Sequence, residues 1–82
     1  YNRGLSRSDL EDFPGAIADY TEAIERNEDH ALAYYERGLT YQALGDIKAA
    51  KKDFQTTSQK CLDLSQLGCY KDAQYKLESL DQ

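Results

Sequence analysis

The chain has 82 residues and a mass of 9.3 kDa, and a chain this short buries only about 60% of its unfolded surface, which confines it to one small domain. Its net charge of −5 is local, since residues 1–41 carry Arg3, Arg7, Arg26 and Arg37 against nine acidic residues while the remainder balances; with no basic face to neutralise phosphates, nucleic acid is excluded as a partner. No run approaches the roughly 20 apolar residues of a membrane-spanning helix and no signal segment opens the chain, so a soluble, cytoplasmic protein without membrane contact is expected.

Residues 1–5, YNRGL, open an element whose wording returns at residues 35–39, YERGL. With no Met in the chain and a match beginning at the first residue, the sequence reads as a piece of a longer protein whose first element is truncated. A displacement of 34 residues sets Tyr1 on Tyr35, Arg3 on Arg37, Gly4 on Gly38, Leu5 on Leu39, Leu10 on Leu44, Asp12 on Asp46, Ala16 on Ala50 and Asp19 on Asp53. Such a period marks a solenoid unit, which hides its apolar face only by stacking on copies of itself.

The first element ends before Asp12, a good N-cap, with Pro14 close behind it in a first helical turn where its missing N–H costs nothing. The second helix carries Ala16, Tyr20, Ala23 and Ile24 at three- and four-residue steps. Its acidic run, Glu22, Glu25, Glu28 and Asp29, reads as a solvated outer face, and His30 as a linker residue. The next helix has a stripe of Tyr34, Gly38, Tyr41 and Leu44 or Gly45, and Gly45-Asp46 is its stop and the following cap. A helix bearing Ala50, Phe54, Thr57 and Cys61 then meets no breaker before Gly68 and is expected to run to about Gln66, about 30 Å at 1.5 Å per residue. Gly68, Tyr70, Ala73, Leu77 and Leu80 outline a last amphipathic helix, read as a cap whose wet face is Lys71, Asp72, Lys76 and Glu78.

Small residues at Gly4, Gly38, Ala16, Ala23 and Ala50 let helices approach closely, with Tyr20 or Phe54 filling the space between them. Cys61 and Cys69, with one His, cannot make a four-ligand zinc site, and no metal or cofactor is implied. With Cys61 deep in one helix and Cys69 at the mouth of the next, both are expected as reduced thiols, one or both packed. Arg3 and Arg37 are expected to cover apolar surface with their stems and to pair with acids such as Glu11, Asp12 or Asp46. Lys48, Lys51 and Lys52 read as a salt-laced helix face.

The pattern Tyr34-x-x-Arg37-Gly38-x-x-Tyr41 followed by Ala50-x-x-x-Phe54, with Ala16-x-x-x-Tyr20 before it, resembles the tetratricopeptide repeat (TPR) over about residues 1–60. The wording YNRG and GAIADYTEAI is similar to arrays abundant in bacteria, including photosynthetic ones. Departures are Tyr34 where a tryptophan often stands, Glu28 in place of a closing proline, and Lys51 where the first copy has Ile17. The resemblance implies an all-α, right-handed α-α superhelix: a first TPR-like repeat over 1–30, a second over 31–60 with its last helix extended to about 66, and a capping helix over 69–82.

It also implies that the first helix of each pair lines a concave surface. Off the core stripe there stand Tyr1, Leu5 and Ser8 in the first repeat and Leu32, Tyr35, Leu39 and Gln42 in the second. At 100° per residue the last three lie within about 60° of one another, on a different face from Tyr34, Gly38 and Tyr41. Two readings stand side by side. One is a groove for an extended or helical peptide of a protein partner, with Tyr1 and Tyr35 as anchors. In the other, these residues pack beneath upstream repeats, the cap helix or another copy of the chain.

Family members that grip the acidic C-terminus of heat-shock chaperones use Lys, Asn and Arg on the concave helices; here Tyr1, Leu5, Tyr35, Glu36 and Leu39 occupy the corresponding places, against that activity. No phosphate loop, paired catalytic carboxylates or HExxH occurs, and His30 has no nucleophile at motif spacing, so no enzyme is expected. The expected role is a protein-interaction scaffold. The rivals are the architectural end of a longer array or a regulatory module attached to an enzyme. Uncovered apolar groups on Tyr1, Leu5 and Phe13 also lead to the expectation of a homodimer.

Overall fold

A computed structural model describes Gly4 and residues 12–80. Four α-helices and no strand occur among the described residues beyond Gly4: α1 (Phe13–Arg26), α2 (Ala31–Leu44), α3 (Ile47–Asp63) and α4 (Leu67–Leu80). Each packs against the next in order, as in a solenoid.

Local chemistry sets the boundaries. The Asp12 carboxylate accepts from the Gly15 N–H at 3.3 Å with Pro14 in the first turn of α1, and Asp46 accepts from Ala49 at 3.2 Å to start α3. His30 is more than a linker: its Nδ1 accepts from the Ala33 N–H at 3.3 Å and so caps α2. At the end of α2, Gly45 takes φ 84°, its N–H donates to the Gln42 carbonyl at 3.0 Å, and the Asp46 N–H donates to Tyr41 at 2.9 Å. That is a Schellman closure, and glycine makes its left-handed residue inexpensive.

The end of α3 differs from the expectation. The helix stops at Asp63 rather than near Gln66, because the same closure forms on Ser65, with φ 58°. Its N–H donates to Leu62 at 3.0 Å and the Gln66 N–H to Cys61 at 2.7 Å. The last helix accordingly begins at Leu67, ahead of Gly68.

Packing repeats with the sequence. Ala16, Tyr20, Ala50 and Phe54 are wholly buried. A Cβ placed on Gly4 would lie 2.7 Å from Cε1 of Tyr20, and one on Gly38 would lie 2.8 Å from Cε1 of Phe54. The same glycine-on-aromatic crossing is therefore built in both repeats. Between them, Tyr34 of α2 packs on Ala23, Ile24 and Ala33.

Candidate protein-binding face

The concave-side residues of the second repeat project from α2, beside the hairpin core. Leu32, in the first turn, is 53% exposed, while Leu39 and Gln42 are half-buried. Tyr35 is half-buried because its ring packs on Phe54, with centroids 5.7 Å apart and planes tilted by 57°. It is thus partly a core residue rather than an open anchor. Burial, and then the negative charges of Asp72 and Glu36, push its phenol above the usual 10.0. Tyr1, Leu5 and Ser8, together with Arg3 and Glu11, lie outside the described residues.

The cap helix explains the covering of Tyr35. A cavity of about 50 Å³ is walled by Leu32 and Tyr35 of α2, Thr57 and Cys61 of α3, and Cys69 and Asp72 of α4. Of the two readings of this stripe, packing beneath the cap therefore applies at Tyr35, while Leu32 at the rim of the same cavity stays open.

Cys61 and Cys69 are joined in a disulfide, with Cα atoms 6.0 Å apart, which corrects the expectation of two reduced thiols. The physical reason is the early end of α3. Cys61 falls in its last turn instead of deep inside it, and the turn through Ser65 folds Cys69 of α4 back to bridging distance. Two cysteines flanking a three-residue turn were the signal for it.

Arg37 also departs in its partner. Its Nε and Nη2 donate to the two carboxylate oxygens of Asp53, both at 2.8 Å, and Nη1 donates to Thr21 Oγ1 at 3.1 Å. The expected pairing with Asp46 does not form, because Asp46 is engaged in capping at the far end of α3. The guanidinium carbon sits 5.6 Å from the Tyr34 ring centroid and 6.0 Å from that of Tyr41. The fork-to-fork bond to Asp53 outweighs burial and holds the guanidinium charged above its usual range. Arg37 is thus structural, its stem packed and its head paired. The recurrence of Asp19 and Asp53 at equal distance behind Arg3 and Arg37 pointed to that acid. Lys60 pairs with Asp29 at 3.1 Å, joining α3 to the turn before α2.

Among the described residues, no helix is long and apolar enough to cross a membrane and no cluster of His, Cys, Asp and Glu is placed to hold a metal. The sequence profile of the TPR repeat matches residues 1–45, and that of the tetratricopeptide repeat matches residues 31–66. The chain belongs to the tetratricopeptide repeat family. Its TPR repeats are similar to those of curated relatives: human serine/threonine-protein phosphatase 5 is 36% identical over 55 residues, covering 67% of this chain and 11% of that protein. The Hsp70-Hsp90 organizing protein 1 of Glycine max is 40% identical over 52 residues, and the organizing protein 2 of Arabidopsis thaliana 38% over 52; each match covers 63% of this chain and 8% of the relative. The match thus spans about a tenth of the length of the phosphatase. No solved structure matches the TPR chain. The repeats and these relatives make it a protein-interaction module.

Proposed function

We propose that the module takes an extended or helical peptide of a partner protein along α2, on Leu39 and Gln42, with exposed Leu32 at one end, and acts as a scaffold without catalysis of its own. The observation that carries this is that α2 meets its neighbours through Tyr34, Tyr35, Arg37 and Gly38, while Leu32, Leu39 and Gln42 form a second stripe beside those contacts. The names of the organizing relatives fit a role in bringing proteins together. An acidic chaperone tail is a poor ligand for this face, because Tyr35, Glu36 and Leu39 replace the cations and amides that would clamp its carboxylates. Leu39→Asp is expected to abolish binding in a peptide-array or anisotropy screen while the helical circular dichroism stays intact. Binding retained by that variant would remove the groove. Tyr35→Ala is the poorer probe, since it also strips the contact with Phe54.

A specific observation favours self-association as a second reading. Leu32, Leu64 and Leu67, which are 53%, 48% and 58% exposed, stand in the first turn of α2 and around the α3–α4 junction, and Leu32 and Leu64 share one shallow depression with His30. A regulatory module attached to an enzyme is the third, supported by the phosphatase relative. A cytoplasmic setting, and the bacterial source suggested by GAIADYTEAI, belong to the same proposal; the cytosol suits the module in its reduced form, because disulfides persist in oxidising compartments.

A further inference from the structure

We infer that Cys69 is a thiol-exchange site at which a dithiol reductant unlatches α4 from the Leu32–Tyr35 end of the α2 face. The functional consequence rests on the reading of that face as a binding groove; the chemistry does not.

Four observations combine. The Cys61–Cys69 bond forms part of the wall of the cavity that Leu32 and Tyr35 line, so the bond holds the helix that partly covers Tyr35. Noncovalent attachment of α4 rests mostly on half-buried side chains. Ala73 is its one buried residue among those described, Tyr70, Leu77 and Leu80 are half-buried, Gln74 Nε2 donates to Ser58 Oγ at 2.8 Å, and Tyr75 is 69% exposed. The joint on which α4 would swing is the turn through Ser65, a non-glycine residue at φ 58° that favours leaving that conformation. Finally, the two cysteines differ in access: Cys61 is 0% exposed whereas Cys69 is half-buried.

An attacking thiolate must reach one sulfur from outside, which selects Cys69. The reductant's first thiolate bonds to Cys69 Sγ, the Cys61–Cys69 bond breaks, and Cys61 leaves with the electron pair and takes up a proton. The reductant's second thiolate then attacks its own sulfur in the mixed disulfide. Cys69 is released as a thiolate and protonated, and the reductant departs as a disulfide. Two electrons and two protons have moved to the protein. Freed of its covalent tie, α4 is held by Ala73, by the half-buried Tyr70, Leu77 and Leu80 and by the Gln74–Ser58 hydrogen bond, and Tyr35 gains access to solvent or a ligand.

The test uses the full chain in oxidised form and no binding partner, so it fails or succeeds independently of the groove proposal. With glutathione as a monothiol probe, peptide mapping is expected to find the mixed disulfide on Cys69 and a free thiol on Cys61; an adduct on Cys61, or an even split, overturns the assignment. With dithiothreitol, amide hydrogen exchange over residues 67–80 is expected to rise at least about tenfold while residues 13–44 keep their protection, and re-oxidation is expected to reverse it. Unchanged exchange in 67–80 overturns the latch. A rise throughout the chain overturns it as well, by making the bond a staple of the whole fold. Cys61→Ser with Cys69→Ser is expected to match the reduced protein without any reductant present.

Discussion

A Cβ added to Gly38 would sit 2.8 Å from Phe54 Cε1, and that ring is wholly buried. Helix propensity alone favours alanine over glycine by about 1 kcal/mol, so the crossing decides the outcome. Gly38→Leu is expected to destabilise by about 1–3 kcal/mol or more in a denaturant melt. Gly68 is the matched control, because a Cβ there meets nothing, and Gly68→Ala is expected to be neutral or slightly stabilising. The glycine's role was legible because it recurs at Gly4 with an aromatic residue at the same distance behind it. The partner of Arg37 was not read, although Asp19 and Asp53 recur as regularly, because nearness in sequence drew attention to Asp46. Tyr35 sets the pH response of the candidate site. Its folded-state phenol ionises above the unfolded value of 10.0, so the stability it contributes is fully present below pH 10.0 and is lost as pH rises through the folded value. Tyr35→Phe is expected to lessen the alkaline loss of stability, measured as the denaturation midpoint against pH, relative to the wild-type chain.

Helix ends divide into those announced by residue type and those made by geometry. Asp12, Pro14, Gly45 and Asp46 each have the side chain or backbone freedom their position demands, so the start of α1 and the α2–α3 turn could be placed from the sequence. The end of α3 carries no such residue. Ser65 adopts the left-handed conformation because the Schellman bonds to Cys61 and Leu62, and the covalent tie from Cys61 to Cys69, hold it there. Neither influence is a local propensity, and the thiols were misread as soon as the helix was drawn too long. If Ser65 bears the cost of a left-handed residue, Ser65→Gly is expected to raise stability by about 0.5–1 kcal/mol, read as a shift of the denaturant midpoint at constant slope. The stripe on α2 was legible as a stripe, from its angular spacing. Its partial covering at Tyr35 was not, because that depends on where a helix about thirty residues further on comes to lie.

At the scale of the molecule, Leu32, Leu64 and Leu67 expose apolar area at one end. Light scattering across a dilution series is expected to show a dimer at high concentration that dissociates on dilution; a mass that stays at 9.3 kDa would leave those leucines to a different partner. The family and the all-α solenoid were readable from period alone, since a unit that cannot hide its own apolar face must repeat. Arg37 shows how the repeats are joined. The guanidinium that closes the second hairpin through Asp53 also donates across the repeat boundary to Thr21 of the first. Repeat proteins melt as coupled neighbours, and the strength of the coupling decides whether units unfold singly or together. Should the first repeat open, a largely buried cation loses a hydrogen bond in the second, so the cost of unfolding one unit is felt in its neighbour. Arg37 thus adds a polar tie to the apolar packing of Tyr34 on Ala23 and Ile24 and the Lys60–Asp29 pair, and half-melted molecules, with their torn apolar faces, are kept scarce.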